Sequence, residues 1–236
     1  MPESGDVKPL ALLVPGLDGT GRFFDNHVTA LATRYRVRAW EFRRRGSFDF
    51  DDLVDELAEG TAGEDPASVS IVGESFGGPV AIRFVLAYPE RVRTLVLINT
   101  FARYRSRVRI RLACRLVPAL GWPIVRGLKD MIADRILAAE GIPPRERRHY
   151  HATVRMIDPA AYRRRLELVR TVDLVDRLSE IKVPTAILAA GRDKIVPSVV
   201  EGRFMASRIP NARLYEFPRA GHALLLTPGF SLANYM

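Results

Sequence analysis

Residues 69–78 read Val-Ser-Ile-Val-Gly-Glu-Ser-Phe-Gly-Gly, and the following stretch carries Val80, Ala81, Phe84, Val85 and Tyr88 at three- and four-residue spacing. The first four residues are a short apolar, β-favouring run, and the later spacing is that of a helix with one buried face. A strand, a sharp turn holding Ser75 and a helix are therefore expected in succession. Such a turn strains the serine backbone and presses strand against helix, which leaves no room for side chains at Gly73 and Gly77. The serine hydroxyl is then exposed at the C-terminal edge of the sheet, beside helical N–H groups that stabilise negative charge. A capping serine in a glycine-rich turn would satisfy the G-x-S-x-G pattern alone. The strand before it and the helix after it favour a nucleophile.

Outward from this unit the same alternation repeats. Strands are expected at Leu10–Val14, Arg36–Phe42, Val69–Val72, Arg93–Thr100, Pro184–Ala190 and Ala212–Phe217, with helices at Phe23–Thr33, Phe50–Gly60, Pro79–Tyr88 and Val199–Arg208. Strands alternating with helices imply βαβ units, hence an α/β fold with a mostly parallel, doubly wound sheet covered on both faces. The alternation fails between Ala102 and Thr171, where helix-like patterning is punctuated by Pro118, Pro123, Pro143, Pro144 and Pro159. The expected organisation is a core of residues 1–101 and 172–236 with a helical cap, 102–171, inserted after the fourth strand.

A serine nucleophile needs a base and an orienting carboxylate. Of His27, His149, His151 and His222, only His222 lies where a loop should follow the last strand. Asp193 follows the fifth strand in Gly191-Arg-Asp-Lys-Ile-Val-Pro197; the rival position after the fourth strand holds Asn99, which carries no negative charge. The order Ser75, Asp193, His222 is that of hydrolases built on a nucleophile elbow. The first strand empties into Pro15-Gly-Leu-Asp-Gly-Thr-Gly21, which lacks the Lys-Ser/Thr of a phosphate-binding loop and the spacing of G-x-G-x-x-G. It reads better as half of an oxyanion hole, with the N–H of Leu17 (or Asp18) and that of Phe76 converging on the oxygen that becomes negative. Asp18 and Glu74, beside hole and nucleophile, are the expected substrate contacts.

Composition sets the outer bounds. Of 236 residues 47% are hydrophobic and 27% charged, which excludes a disordered or collagenous chain. The single cysteine, Cys114, excludes an internal disulfide framework, and the apolar run Leu10–Val14 is too short for a secretory segment, so a reducing, cytoplasmic setting is expected. The net charge of +9 is localised: residues 102–171 hold 17 Lys and Arg against 6 Asp and Glu, and the remainder 19 against 21. Arginines in this block are expected to face water while Val108, Ile110, Leu112, Leu116, Val117, Trp122, Ile132, Ile136, Leu137 and their neighbours roof a pocket. Alternating Arg103 to Arg111 has period two, which a helix would spread over all its faces. Docking on an anionic membrane surface is the sharper alternative to a solvated face, and nucleic acid is disfavoured because no reading motif accompanies the charge. His149 and His151 are expected at the surface or in the pocket lining rather than on a metal.

The segments GESFGG (73–78), GRDKIVP (191–197) and AGHALLLTP (220–228) resemble the α/β-hydrolase superfamily. The resemblance implies an eight-stranded sheet lacking its first one or two strands, a helical cap after the strand numbered six by family convention, and serine-dependent acyl chemistry without metal or organic cofactor. PGLDGTG (15–21), together with GESFGG, is similar to bacterial hydrolases and to plastid phytyl-ester and diacylglycerol acyltransferases. Halide displacement or epoxide opening on this fold would require aspartate at position 75. The leading expectation is a carboxylic-ester hydrolase acting on a small-molecule ester through an acyl-enzyme on Ser75. An acyltransferase passing the group to an alcohol, and a non-catalytic basic binding protein on the same scaffold, are the alternatives.

Overall fold

In a computed structural model, which describes residues 8–136 and 143–236, six strands form one sheet. They are β1 (Leu10–Val14), β2 (Arg36–Ala39), β3 (Val69–Glu74), β4 (Val92–Ile98), β5 (Thr185–Ala190) and β6 (Ala212–Phe217), in the order β2-β1-β3-β4-β5-β6 with every pairing parallel. The amino-terminal residues 1–7 and Leu137, on which the sequence reading also drew, lie outside the described residues, as do the side chains of Ile132 and Ile136.

β1 shows why a continuous apolar run suits this sheet. Leu10, Leu12 and Val14 join one core with Leu53, Leu57, Val80 and Phe84, whereas Ala11 and Leu13 join a second with Phe24, Leu31 and Leu224. The period-two alternation of a strand divides the run between two buried faces. Helices α2 (Phe50–Gly60) and α3 (Gly77–Ala87) cover the first face and α1 (Asp25–Leu31) the second, with α8 (Ser198–Ala206) packed on β5 and β6. Asp49 caps α2 through a reciprocal pairing with Asp52, a motif typically worth about 1 kcal/mol.

Several boundaries differ from the sequence reading. β2 ends at Ala39, because Phe42 turns into the core with its N–H on the Gly19 carbonyl. β4 ends at Ile98 because Asn99 adopts a left-handed φ of 46° that no ladder continues. α1 is shorter than expected, its first turn being a separate 3-10 turn at Arg22–Phe24.

Between β4 and β5 lie α4 (Arg107–Leu120), α5 (Trp122–Ile136), α6 (Pro144–Met156) and α7 (Pro159–Leu168). Pro123, Pro144 and Pro159 occupy first turns, where the missing N–H costs nothing, so these three mark helix starts, whereas Pro118 lies inside α4. The alternating arginines fall partly outside the helix: α4 begins only at Arg107, and Arg103 instead bridges Asp173.

The chain turns in opposite directions at β1 and β3. From β1 it crosses to β2 on one side, and from β3 to β4 on the other. The loops leaving the C-terminal ends of β1 and β3 diverge there and open a crevice, which is where open α/β sheets hold their ligands.

Candidate active site

Ser75 stands at that crevice, immediately after β3. Its φ is 51°, a strained value for a residue with a side chain. The strain is held by packing: a Cβ on Gly77 would lie 2.4 Å from the Val14 carbonyl oxygen, and one on Gly73 would lie 2.6 Å from that of Gly77. Thr100 adds a hydroxyl that donates to the Ser75 carbonyl at 2.5 Å.

His222 and Asp193 meet Ser75 across three loops. His222 Nε2 lies 3.0 Å from Ser75 Oγ, and His222 Nδ1 lies 2.7 Å from Asp193 Oδ2. The Asp193 Oδ1 accepts from the N–H groups of Ile195 and Val196 at 2.8 and 3.0 Å, and its Oδ2 also accepts from Ser198. Burial works to raise the Asp193 carboxyl, but the imidazole, the Ser198 hydroxyl and the Val196 N–H together hold it below its ordinary range. Burial likewise works to lower the His222 pKa, but Asp193 and, less strongly, Glu74 carry it above the usual histidine value, against a small opposing effect from Lys129. The relay places a hydroxyl proton next to a nitrogen that can take it and fixes the opposite nitrogen on a carboxylate.

Leu17 and Ser75 line one cavity of roughly 140 Å³ together with Glu74, Lys129, Tyr150 and His222. Among the described residues the N–H groups of Leu17 and Phe76 donate to no protein acceptor. The Phe76 side chain is itself in the core, stacked on Phe50. Asp18 also lines the cavity, but its Oδ1 accepts from the Thr20 N–H and hydroxyl. Glu74 is mostly enclosed beside His222, 3.9 Å away, and desolvation pushes its carboxyl up to about 7, offset only in part by the imidazole and the Gly16 N–H.

Four residues that sequence reasoning did not assign organise the site. Arg165 of α7 is 2% exposed and donates from Nε to the Leu17 carbonyl at 3.0 Å and from Nη2 to that of Asp18 at 3.1 Å. Burial lowers its pKa to about 10, so the guanidinium stays charged at neutral pH. Asn99, set aside above for want of charge, accepts from the Ala190 N–H and donates to the His222 carbonyl at 2.8 Å, strapping the acid strand to the histidine loop. Lys129 sits over the Tyr162 ring at 4.3 Å, and Ser198 holds the acid. Arg103, Arg105, Arg107, Arg109, Arg111 and Arg115 are exposed as expected, and buried Arg165 is the exception; Arg164 and Arg109 also donate to the carbonyls of Phe48 and Lys194. The expected roof is corrected in part, since Val108, Leu112 and Leu116 are exposed whereas Ile110 is buried.

The remaining histidines have other duties. His27 is buried between Leu225 and Leu232, and burial lowers its pKa. His149 contacts the Arg22 carbonyl, and His151 meets Asp130 at 2.7 Å, an acidic partner the sequence spacing did not suggest. Among the described residues no group of three or more His, Cys, Asp or Glu could hold a metal ion.

The sequence profile described as the Alpha/beta hydrolase family matches residues 11–233. The chain belongs to that family. The hydrolase is 30% identical over 233 residues to the RutD protein of Azorhizobium caulinodans, named as a carbamate hydrolase, spanning 90% of this chain and 83% of that one. It is 28% identical over 236 residues to a pimeloyl-[acyl-carrier protein] methyl ester esterase of Chromobacterium violaceum, spanning 93% and 89%. Among solved structures it resembles an esterase from Exiguobacterium antarcticum, with a TM-score of 0.82 at 18% identity over 92% of this chain and 86% of that one. At that identity the likeness speaks for the fold alone.

Proposed function

We propose that this hydrolase cleaves carboxylic esters through an acyl-enzyme on Ser75. The reading rests on one observation above all, the Ser75–His222–Asp193 relay of 3.0 and 2.7 Å opening onto the cavity. Ser75 Oγ attacks the acyl carbon as His222 Nε2 takes its proton. The N–H groups of Leu17 and Phe76 receive the oxyanion, each such donor being worth about 3–4 kcal/mol in the transition state. His222 then protonates the departing alcohol, and water deprotonated by the same nitrogen releases the acid. Asp193 keeps the proton on Nδ1 throughout. Residues 102–171 form the cap in this reading, with Lys129, Tyr150 and Tyr162 closing the cavity against water.

The names of the two sequence relatives agree with this chemistry, since a carbamate and a methyl ester both present an acyl carbon to a nucleophile. The cavity is smaller than a drug-sized pocket and is continued by an apolar recess of roughly 60 Å³ beside His222, Ala223 and Leu226, so a short ester fits best. Ser75→Ala is expected to abolish turnover of 4-nitrophenyl butyrate and labelling by a serine-directed fluorophosphonate while leaving the unfolding transition in place. Undiminished turnover in that variant rejects the mechanism. Product analysis with a long-chain alcohol present separates hydrolysis from acyl transfer, and free acid as the sole product is expected.

A further inference from the structure

On α4, Val108, Leu112, Leu116 and Leu120 recur every four residues, and they are 75%, 53%, 44% and 39% exposed. Four-residue spacing advances only about 40° per step, so they form one stripe on the side of the helix away from buried Ile110. Ile124, Leu128 and Met131 leave a second exposed row on α5, while Val125 of that helix is buried and Lys129 lines the catalytic cavity. A run of exposed large apolar side chains over two consecutive helices is more than the scattered exposure ordinary for a surface.

The charges beside the stripe indicate what covers it. α4 holds Arg107, Arg109, Arg111 and Arg115 and no acidic residue. Arg107 and Arg111 also border a surface groove of roughly 640 Å³ shared with Arg164 and Arg170, against two carboxylates, Asp49 and Glu167. A second copy of this chain would bring the same positive charge to the contact. Apolar side chains along one line of a helix with arginines at their flank suit a surface that is itself apolar beneath an anionic layer. Among the described residues no helix is long and apolar enough to cross a membrane.

We propose that α4 and α5 dock the protein on the surface of a bilayer containing anionic lipid, with the Val108–Leu120 stripe at the headgroup–acyl boundary and Arg107 and Arg111 on lipid phosphates. α5, one of the two docked helices, also carries Lys129 on the cavity lining, so docking places the site near the lipid phase. Docking does not require ester hydrolysis, and each can fail without the other.

The test is flotation of the full chain with vesicles of phosphatidylcholine alone and of phosphatidylcholine mixed with phosphatidylglycerol. Partition at least ~10-fold stronger on the mixed vesicles is expected, weakening with salt. Leu112→Asp/Leu116→Asp and Arg107→Gln/Arg111→Gln are each expected to lose most of that preference, with hydrolysis of a water-soluble ester retained as the check on folding. Equal partition to both vesicles overturns the proposal, as does binding that survives the leucine pair and depends on the arginines alone. A concentration-dependent dimer that the leucine pair dissociates assigns the stripe to self-association and overturns it equally.

Discussion

Arg165 Nε lies 3.0 Å from the carbonyl oxygen of Leu17, so a helix inserted between β4 and β5 fixes the loop after β1. With Nη2 on the Asp18 carbonyl, the guanidinium ties down two successive carbonyls of the loop that lines the cavity. A peptide unit is planar, so holding the Leu17 oxygen also holds the Asp18 N–H that follows it, while the Leu17 N–H shares its plane with the Gly16 carbonyl, which accepts from the Gly19 N–H at 3.1 Å.

Arg165→Met should keep the apolar stem and lose both donors. Donor aim matters mainly when the oxyanion forms, so kcat is expected to fall about 10- to 100-fold with KM nearly unchanged. A thermal melt will also drop, because two buried carbonyls lose their partners. Steady-state kinetics on a short activated ester check it; a rise in KM at constant kcat would falsify the assignment.

Asp193→Asn should leave the loop folded, since an amide oxygen can still accept from Ile195 and Val196. The amide nitrogen, however, would face His222 Nδ1 and favour the tautomer with its proton on Nε2. A loss of roughly a thousandfold or more in kcat is expected with little change in unfolding midpoint.

Glu74 and Lys129 act on the imidazole in opposite senses, the first raising its pKa and the second lowering it. The proposed mechanism needs neutral His222, so the acidic limb of kcat/KM is expected to follow that pKa. Glu74→Gln is expected to move the limb to lower pH and Lys129→Met to higher pH. Shifts in the same direction, or none, would show that neither charge reaches the base.

The Glu74 carboxyl titrates at about 7 in the fold, against 4.5 when free. Below the lower value both states hold the proton and ionisation has no bearing on stability. Between the two values only the folded state keeps it, so stability falls as pH rises, by about 3 kcal/mol once both are ionised. Glu74→Gln should therefore stabilise the protein above neutrality and change little in acid. Urea midpoints of both proteins from about pH 5 to about pH 8.5 decide it.

What could be read from the sequence was whatever depends on chain order. Ser75, Asp193 and His222 each follow a strand recognisable by its apolar run, and parallel strands end at one edge, so distant residues were expected to share a rim. Arg165 could not be found this way. It is one of three consecutive arginines, 163–165, and its burial depends on how α7 packs over the β1 loop. The α4 leucines misled for a related reason: periodicity shows that a helix has an apolar side, and only the fold shows which way that side points. Asn99 was judged by its charge, whereas its contribution comes from a donor and an acceptor on one short side chain.

β4 and β5 are hydrogen-bonded neighbours, yet residues 99–184 separate them in the chain. Closing so long a detour is entropically tolerable, because doubling a loop adds only about 0.6 kcal/mol. The penalty is temporal instead. The two halves of the sheet cannot zip together until a remote segment has diffused back, which makes this pairing a late step in assembly. The same tolerance leaves the intervening helices free to diverge: lengthening or rewriting them taxes the sheet little, and ligand preference can drift while the scaffold beneath stays put.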